Sequence, residues 1–206
     1  MGHLLIFEGI DGSGKSTQIA LMKQFLIENG ETVLTTREPG GTAFGEECRT
    51  LFLNHNISGL TELFIALASR DEHISKKIKP ALEQGSWVLC DRFTDSTIAY
   101  QGWGRGIPLD LIINVSNLIE KDLNILKVIF LKISYQCAVQ RIQERGLKSN
   151  RFDLEQKIFF DKVQKGFDFA ARCRGDKGLV VNAEQPDYLV FSDLICQIPE
   201  LSKFND

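Results

Sequence analysis

Residues 9–16, Gly-Ile-Asp-Gly-Ser-Gly-Lys-Ser, match the pattern G-x-x-x-x-G-K-S. No other stretch restricts the fold as much. The motif works only where a strand feeds a glycine-rich turn and the turn opens a helix, because backbone N–H groups from both must converge on one phosphate. Both neighbours are present. The apolar run Leu4–Phe7 precedes the turn, and Ile19, Met22, Phe25 and Leu26 recur on one helical face before Gly30. A strand, a phosphate turn and a helix in that order open an α/β unit.

Four further apolar, β-rich runs follow, at 32–36, 87–90, 127–133 and 179–182. With residues 4–7 they make five near-continuous runs, the pattern of strands buried on both faces of a parallel sheet. Helical patterns separate them, and in 154–172 Phe160, Val163, Phe167 and Ala170 share a core-facing stripe. The expected architecture is an α/β fold with a doubly wound five-stranded parallel sheet, helices on both faces, and ligands at the carboxyl ends of the strands. At 206 residues, 43% hydrophobic and 25% charged, the chain fits one domain spanning 1–206. No repeat or Pro/Gly linker divides it, and 183–206 has a helical pattern without a motif.

A formal net charge of −3 argues against a broad nucleic-acid face, though a few arginines can still converge on a small anion. Cys48, Cys90, Cys137, Cys173 and Cys196 are odd in number and scattered, which points to reduced thiols rather than a disulfide or zinc framework. His3, His55 and His73 are equally dispersed. No apolar run reaches membrane-spanning length, and Met1 leads directly into the first strand, so neither a membrane segment nor a signal peptide is expected. The expected location is the cytoplasm.

The chemistry concentrates in three segments. In the phosphate turn, Gly9, Gly12 and Gly14 allow close backbone approach, Lys15 neutralises the β- and γ-phosphates, Ser16 reaches a magnesium ion, and Thr17 adds a phosphate contact. In Cys-Asp-Arg-Phe, 90–93, Asp91 ends a core strand and suits magnesium or its water shell, with Arg92 one residue on. In Thr-Arg-Glu-Pro-Gly-Gly-Thr, 36–42, Arg37 lies just past another strand. Two arginines on one edge of the sheet call for a second anionic group, which separates transfer to a phosphorylated acceptor from plain NTP hydrolysis.

Taken together, "EGIDGSGKST", "TREPGGT", "DRF" followed by "STIAYQG", and "RGLKSNRFD" resemble the thymidylate kinase family in kind and order. These segments run from residue 8 to about 153. The resemblance implies γ-phosphate transfer from ATP to dTMP with Mg2+, a P-loop kinase fold with a mobile lid at about 141–153, and a homodimer. It also assigns roles. Gly9, Ile10, Asp11, Gly12, Ser13, Gly14, Lys15, Ser16 and Thr17 hold the ATP phosphates. Arg37 and Arg92 grip the dTMP phosphate, a task suited to planar guanidinium forks. Asp11 reaches the acceptor's 3′-hydroxyl, Arg70 donates to thymine, Thr97 bonds the base, and Tyr100 packs on the sugar.

Some family members carry an arginine at the position of Gly12, and others supply that charge from the lid. Here the lid offers Arg141, Arg145, Lys148 and Arg151, so Arg145 or Arg151 joins Lys15, Asp91 and Arg92 as a catalytic candidate. The chain departs from the family at Ala66, where a phenylalanine usually stacks on thymine; Phe64 and Phe93 are the nearby rings. Three alternatives remain open: another deoxynucleoside monophosphate kinase, a deoxynucleoside kinase without need of paired acceptor arginines, and a GTP-controlled switch. The switch lacks its N-K-x-D signature in this sequence.

Overall fold

The structure is a computed structural model, and it describes residues 2–144 and 157–204. Five strands form one all-parallel sheet: β1 (His3–Glu8), β2 (Val33–Arg37), β3 (Trp87–Asp91), β4 (Ile125–Lys132) and β5 (Gly178–Asn182), in the spatial order β2-β3-β1-β4-β5. Each expected strand is found within two residues of its predicted ends. The three central strands are near-continuously buried; Leu4, Leu5, Ile6, Phe7, Val88 and Leu89 have no exposed surface. Burial of each such side chain contributes about 1.5–3 kcal/mol, so the core rests on the middle of the sheet. The edge strands β2 and β5 are only half-buried, because each has one neighbour and Thr35 and Thr36 need no apolar cover.

The helices are α1 (Lys15–Glu28), α2 (Ala43–Asn54), α3 (Gly59–His73), α4 (Lys79–Glu83), α5 (Thr94–Thr97), α6 (Leu109–Glu120), α7 (Tyr135–Glu144), α8 (Lys157–Arg174), α9 (Asp187–Gln197) and α10 (Pro199–Ser202). A π-helical turn at Ile74–Ile78 links α3 to α4, and another at Ile98–Gly104 continues α5. Helix α1 packs on β1, β2, β3 and α9, while α8 packs on β4, β5, α5 and the second π turn, so helices cover both faces. None of the described helices is long and apolar enough to cross a membrane.

The chain runs from β1 through β2 to β3 on one side, then crosses to β4 and β5 on the other. This reversal opens a crevice at the carboxyl ends of β1 and β3. The loops there are tied together. Arg92 N–H donates to the Phe7 carbonyl at 2.9 Å, and Glu38 N–H donates to the Asp91 carbonyl at 2.9 Å. The ends of β1, β2 and β3 therefore meet at one place.

Candidate active site

The phosphate turn joins β1 to α1, and its glycines are required for distinct reasons. Gly9 has φ 142°, and a Cβ there would lie 2.6 Å from the Leu131 carbonyl. Gly12 has φ 85°, and a Cβ there would lie 2.9 Å from the carbonyl of Ala138 in α7. A long cationic side chain at 12 is thus sterically incompatible with α7 where it stands. Arg141, on that helix, instead reaches the turn and donates to the Gly12 carbonyl at 3.4 Å. Of the lid candidates, Arg145, Lys148 and Arg151 lie outside the described residues.

Lys15 is buried, and its Nζ donates to the carbonyls of Gly9 (2.9 Å) and Ile10 (3.0 Å). Burial and then the neighbouring Arg92 charge push its ammonium down to about 8, against the pull of Asp91, Asp11 and Glu8. Ser16 and Asp91 line one cavity. The Oδ1 atom of Asp91 is buried without a hydrogen-bond partner. A hydroxyl and an unsatisfied carboxylate oxygen form a hard-oxygen donor set, which fits magnesium.

Arg92 takes a left-handed backbone, φ 69°, the one positive φ outside glycine among the described residues. Such a conformation persists only where neighbours over-determine it. Its Nη1 donates to the Gly9 carbonyl (3.0 Å) and Ser96 Oγ (3.1 Å), its Nη2 to Asp11 Oδ1 (2.7 Å), and its guanidinium lies 5.1 Å from the Tyr100 ring centre. Burial opposes this charge, but Tyr100, Asp11, Asp91 and Glu8 outweigh it and hold the group protonated. Beneath it Glu8, fully buried, accepts from Phe93 N–H (2.8 Å), Ser96 N–H (3.0 Å) and Ser96 Oγ (2.5 Å). Burial first, then Asp95, push the Glu8 carboxyl up to about 8. Asp95 in turn holds Arg174 of α8 by a bidentate pair at 2.9 and 2.8 Å.

Asp11, Arg70, Arg92, Thr97 and Tyr100 line one cavity beside the phosphate turn. Arg37 is not in it. It lines the adjoining cavity with Ser16 and Asp91, about half exposed, and its Nη2 donates to Glu46 Oε2 at 2.8 Å. Arg49 of α2 lines the first cavity together with Arg70 and Arg92, and its Nη1 donates to the Pro39 carbonyl at 3.0 Å. Sequence reading passed over Arg49. The available signal was helical periodicity, since Gly45, Arg49, Phe52 and Leu53 fall on one stripe of α2, the last three of them lining the cavity. Burial and then the charges of Arg37 and Arg92 lower the Arg49 value, while Glu46 and Asp91 oppose this. The three guanidiniums therefore share one field at the rim of the crevice.

Arg70 is 2% exposed. Its Nε donates to Glu38 Oε2 (2.7 Å), its Nη2 donates to Thr97 Oγ1 (3.0 Å), and its guanidinium lies 5.0 Å from the centre of the Phe93 ring. Its Nη1 is buried without a partner. Ala66 lines the cavity as well, and the rings around it are Phe52, Phe93 and Tyr100; Phe64 is 56% exposed on the outer side of α3. Aromatic surface is thus supplied from α2 and from the β3–α5 loop. Burial pushes the Tyr100 phenol up, so it remains a neutral hydroxyl.

The thymidylate kinase family model matches residues 7–194. A thymidylate kinase of Thermosipho melanesiensis is 41% identical over 194 residues, covering 92% of this chain and 94% of its own. One of Geobacillus thermodenitrificans is 37% identical over 201 residues, covering 96% and 89%. The crystal structure of thymidylate kinase from Ehrlichia chaffeensis superposes with a TM-score of 0.75 at 34% identity, over 95% of this chain and 97% of that one. With its phosphate turn, its paired crevice arginines and this coverage, the chain belongs to the thymidylate kinase family.

Proposed function

We infer that the chain transfers the γ-phosphate of ATP to dTMP, giving dTDP and ADP for dTTP synthesis. One observation carries this reading. The cavity beside the phosphate turn has Arg92 and Arg49 at its anion-binding side and an unpartnered Arg70 N–H at its base-reading side. An acceptor that already bears a phosphate and a carbonyl-edged base satisfies both. A deoxynucleoside kinase has no use for the arginines, and a hydrolase has no use for the cavity.

Gly9 to Thr17 hold the ATP phosphates through backbone N–H groups and the start of α1, with Lys15 leaving its carbonyl contacts for the phosphate oxygens. Arg92 and Arg49 hold the acceptor phosphate, and Arg37, beside Ser16 and Asp91, faces the reacting phosphates from the adjoining cavity. An acceptor phosphate oxygen, ionised at neutral pH, forms the new bond to the γ-phosphorus. The bond from that phosphorus to the β–γ bridging oxygen breaks, and its electron pair leaves with ADP. No strong base is needed, so alignment and fixed cations supply the catalysis. Ser16 and Asp91 would hold Mg2+, which supplies charge neutralisation at the phosphates when bound. Asp11, tied to Arg92 and beside Tyr100, reaches the sugar, and Thr97 steadies Arg70 below the base.

The lid at about 141–153 belongs to the same single domain, 1–206. Arg141 at the Gly12 carbonyl supports its approach to the phosphate turn, and Arg145 or Arg151 follows as the cation at the γ-phosphate. Exposed Phe44 and Leu51 on α2, Leu60 and Phe64 on α3, and Leu111 and Leu118 on α6 lie on helices that pack together through α3. They support a homodimer through that apolar face. We place the protein in the cytoplasm, with neither nucleic acid nor membrane as partner.

The test is ADP formation with Mg-ATP and a panel of thymidine, dTMP, dUMP and dCMP. Activity on dTMP with none on thymidine is expected. Activity on thymidine with none on dTMP overturns the reading.

A further inference from the structure

Arg70 owes its orientation to a chain of groups that runs back from Glu38 in the cavity wall to Thr36 at the end of β2. His73 lies one turn beyond Arg70 on α3 and is fully buried. Its Nδ1 is 2.9 Å from Glu38 Oε1, and its Nε2 is 2.7 Å from Thr36 Oγ1. A carboxylate only accepts, so the Nδ1 proton belongs to the bond with Glu38 and, in the neutral ring, Nε2 accepts from the Thr36 hydroxyl. The other Glu38 oxygen takes Arg70 Nε. The path from Thr36 through His73 and Glu38 to Arg70 is unbroken, and it joins the end of β2 to α3. Gly41, in the turn after β2, makes room for it. A Cβ there would lie 2.4 Å from His73 Nε2.

We propose that His73 is a positioning residue for acceptor selection, holding Glu38 so that Arg70 keeps one N–H directed at a carbonyl oxygen of the acceptor base. This rests on the dTMP reading above. With both Glu38 oxygens engaged, one by His73 and one by Arg70 Nε, Nη2 stays on Thr97 and Nη1 stays free. Without the imidazole, Oε1 is idle in a buried setting. An idle carboxylate oxygen next to a guanidinium takes a second N–H in a fork, and Nη2 is the neighbour of Nε on that side. The guanidinium then leaves Thr97 and rotates over Phe93, and Nη1 loses its aim.

Cys90 lies close enough to Glu38 and His73 for the three to be compared with a metal site. Both imidazole nitrogens are already committed, however, and the Cys90 thiol donates to the Arg92 carbonyl at 3.2 Å. Burial and then Glu38 push that thiol's value well up, so it keeps its proton. The trio is a hydrogen-bonded support.

The test compares the full chain with His73→Leu, His73→Asn and Thr36→Val, measuring kcat and KM for dTMP, dUMP and dCMP and KM for ATP. The 4-keto bases accept from Arg70, whereas the 4-amino group of dCMP does not. His73→Leu is expected to raise KM for dTMP about tenfold, with kcat within about twofold and dCMP kinetics unchanged, so the dTMP:dCMP preference falls about tenfold. His73→Asn places an amide N–H near the Nδ1 position and restores the preference to within about threefold of the parent. Thr36→Val keeps the shape and loses only the ring's far anchor, so the preference falls about threefold. An unchanged preference in folded His73→Leu, equal losses on dTMP and dCMP, or no rescue by His73→Asn overturns the proposal. Should His73→Leu fail to fold, an unchanged preference in Thr36→Val overturns it alone. Failure of the dTMP reading shows differently, as a parent protein that prefers another acceptor. The variants then report on the relay through the shift of that preference.

Discussion

Binding of ATP to this protein near pH 8 should draw a proton from solution, and Lys15 is the group that takes it. In the free protein burial and Arg92 hold its ammonium at about 8, against its ordinary 10.5. Triphosphate oxygens beside Nζ replace the Gly9 and Ile10 carbonyls with full negative charge, which returns the group to at least its ordinary range. At pH 8 half of the free lysines are protonated and nearly all of the bound ones are, so uptake is about half a proton per ATP. Across pH 7 to 9.5 the same shift weakens ATP binding roughly 30-fold, or about 2 kcal/mol. The assay is titration calorimetry at pH 8 in two buffers of different ionisation enthalpy, with Lys15→Arg as the control. A binding enthalpy independent of buffer in the parent protein, or the same uptake in Lys15→Arg, refutes the reasoning. The stability of the free fold follows the opposite arm of the linkage. Between pH 8 and 10.5 the unfolded lysine binds the proton that the folded one has released, so this group's contribution rises with pH there.

Three further outcomes are expected. Glu8, raised from 4.5 to about 8 by burial, binds a proton in the folded state that the unfolded chain lacks, so its contribution to stability is lost as pH rises from 4.5 through 8. Glu8→Gln should flatten that part of the profile in denaturant unfolding followed by circular dichroism. Arg174→Met leaves the buried Asp95 carboxylate unpaired, a cost of about 3–5 kcal/mol, and should lower the melting temperature by roughly 10 °C in calorimetry. Gly12→Ala adds about 1–2 kcal/mol of left-handed strain and drives α7 off the phosphate turn, so kcat should fall while dTMP affinity, read by fluorescence titration, holds.

What could be read from sequence divides along physical lines. Strand runs are local and nearly all apolar, so β1, β3 and β4 stand out from their neighbours alone, and the glycine spacing of the phosphate turn dictates its geometry wherever it occurs. Asp91 and Arg92 stand out as candidates because a strand end fixes their positions, whereas Asp11 is singled out only by the family resemblance. Arg49 was not, since its place in the cavity depends on how α2 lies against the crevice, and a solvated helical arginine has the same local signature. Arg37 follows a strand as Arg92 does, but β2 is the sheet edge, and the Arg37 side chain donates to Glu46 beside the Ser16–Asp91 cavity, a placement that no local pattern carries. The His73–Glu38 contact spans 35 positions and leaves no periodic trace. The rings of Phe52 and Phe93 line the cavity beside Ala66 from other elements, an arrangement visible only once α2 and the β3–α5 loop face each other.

If the Arg92–Arg49 cavity holds the phosphate of the acceptor against the donor phosphates on the Gly9–Thr17 turn, a crystal structure with dTMP and a non-hydrolysable ATP analogue together will show both ligands in place. The dTMP phosphate is expected within hydrogen-bond distance of both Arg92 and Arg49, with a thymine carbonyl on Arg70 Nη1. A monophosphate bound outside this cavity, or thymine turned away from Arg70, contradicts this placement.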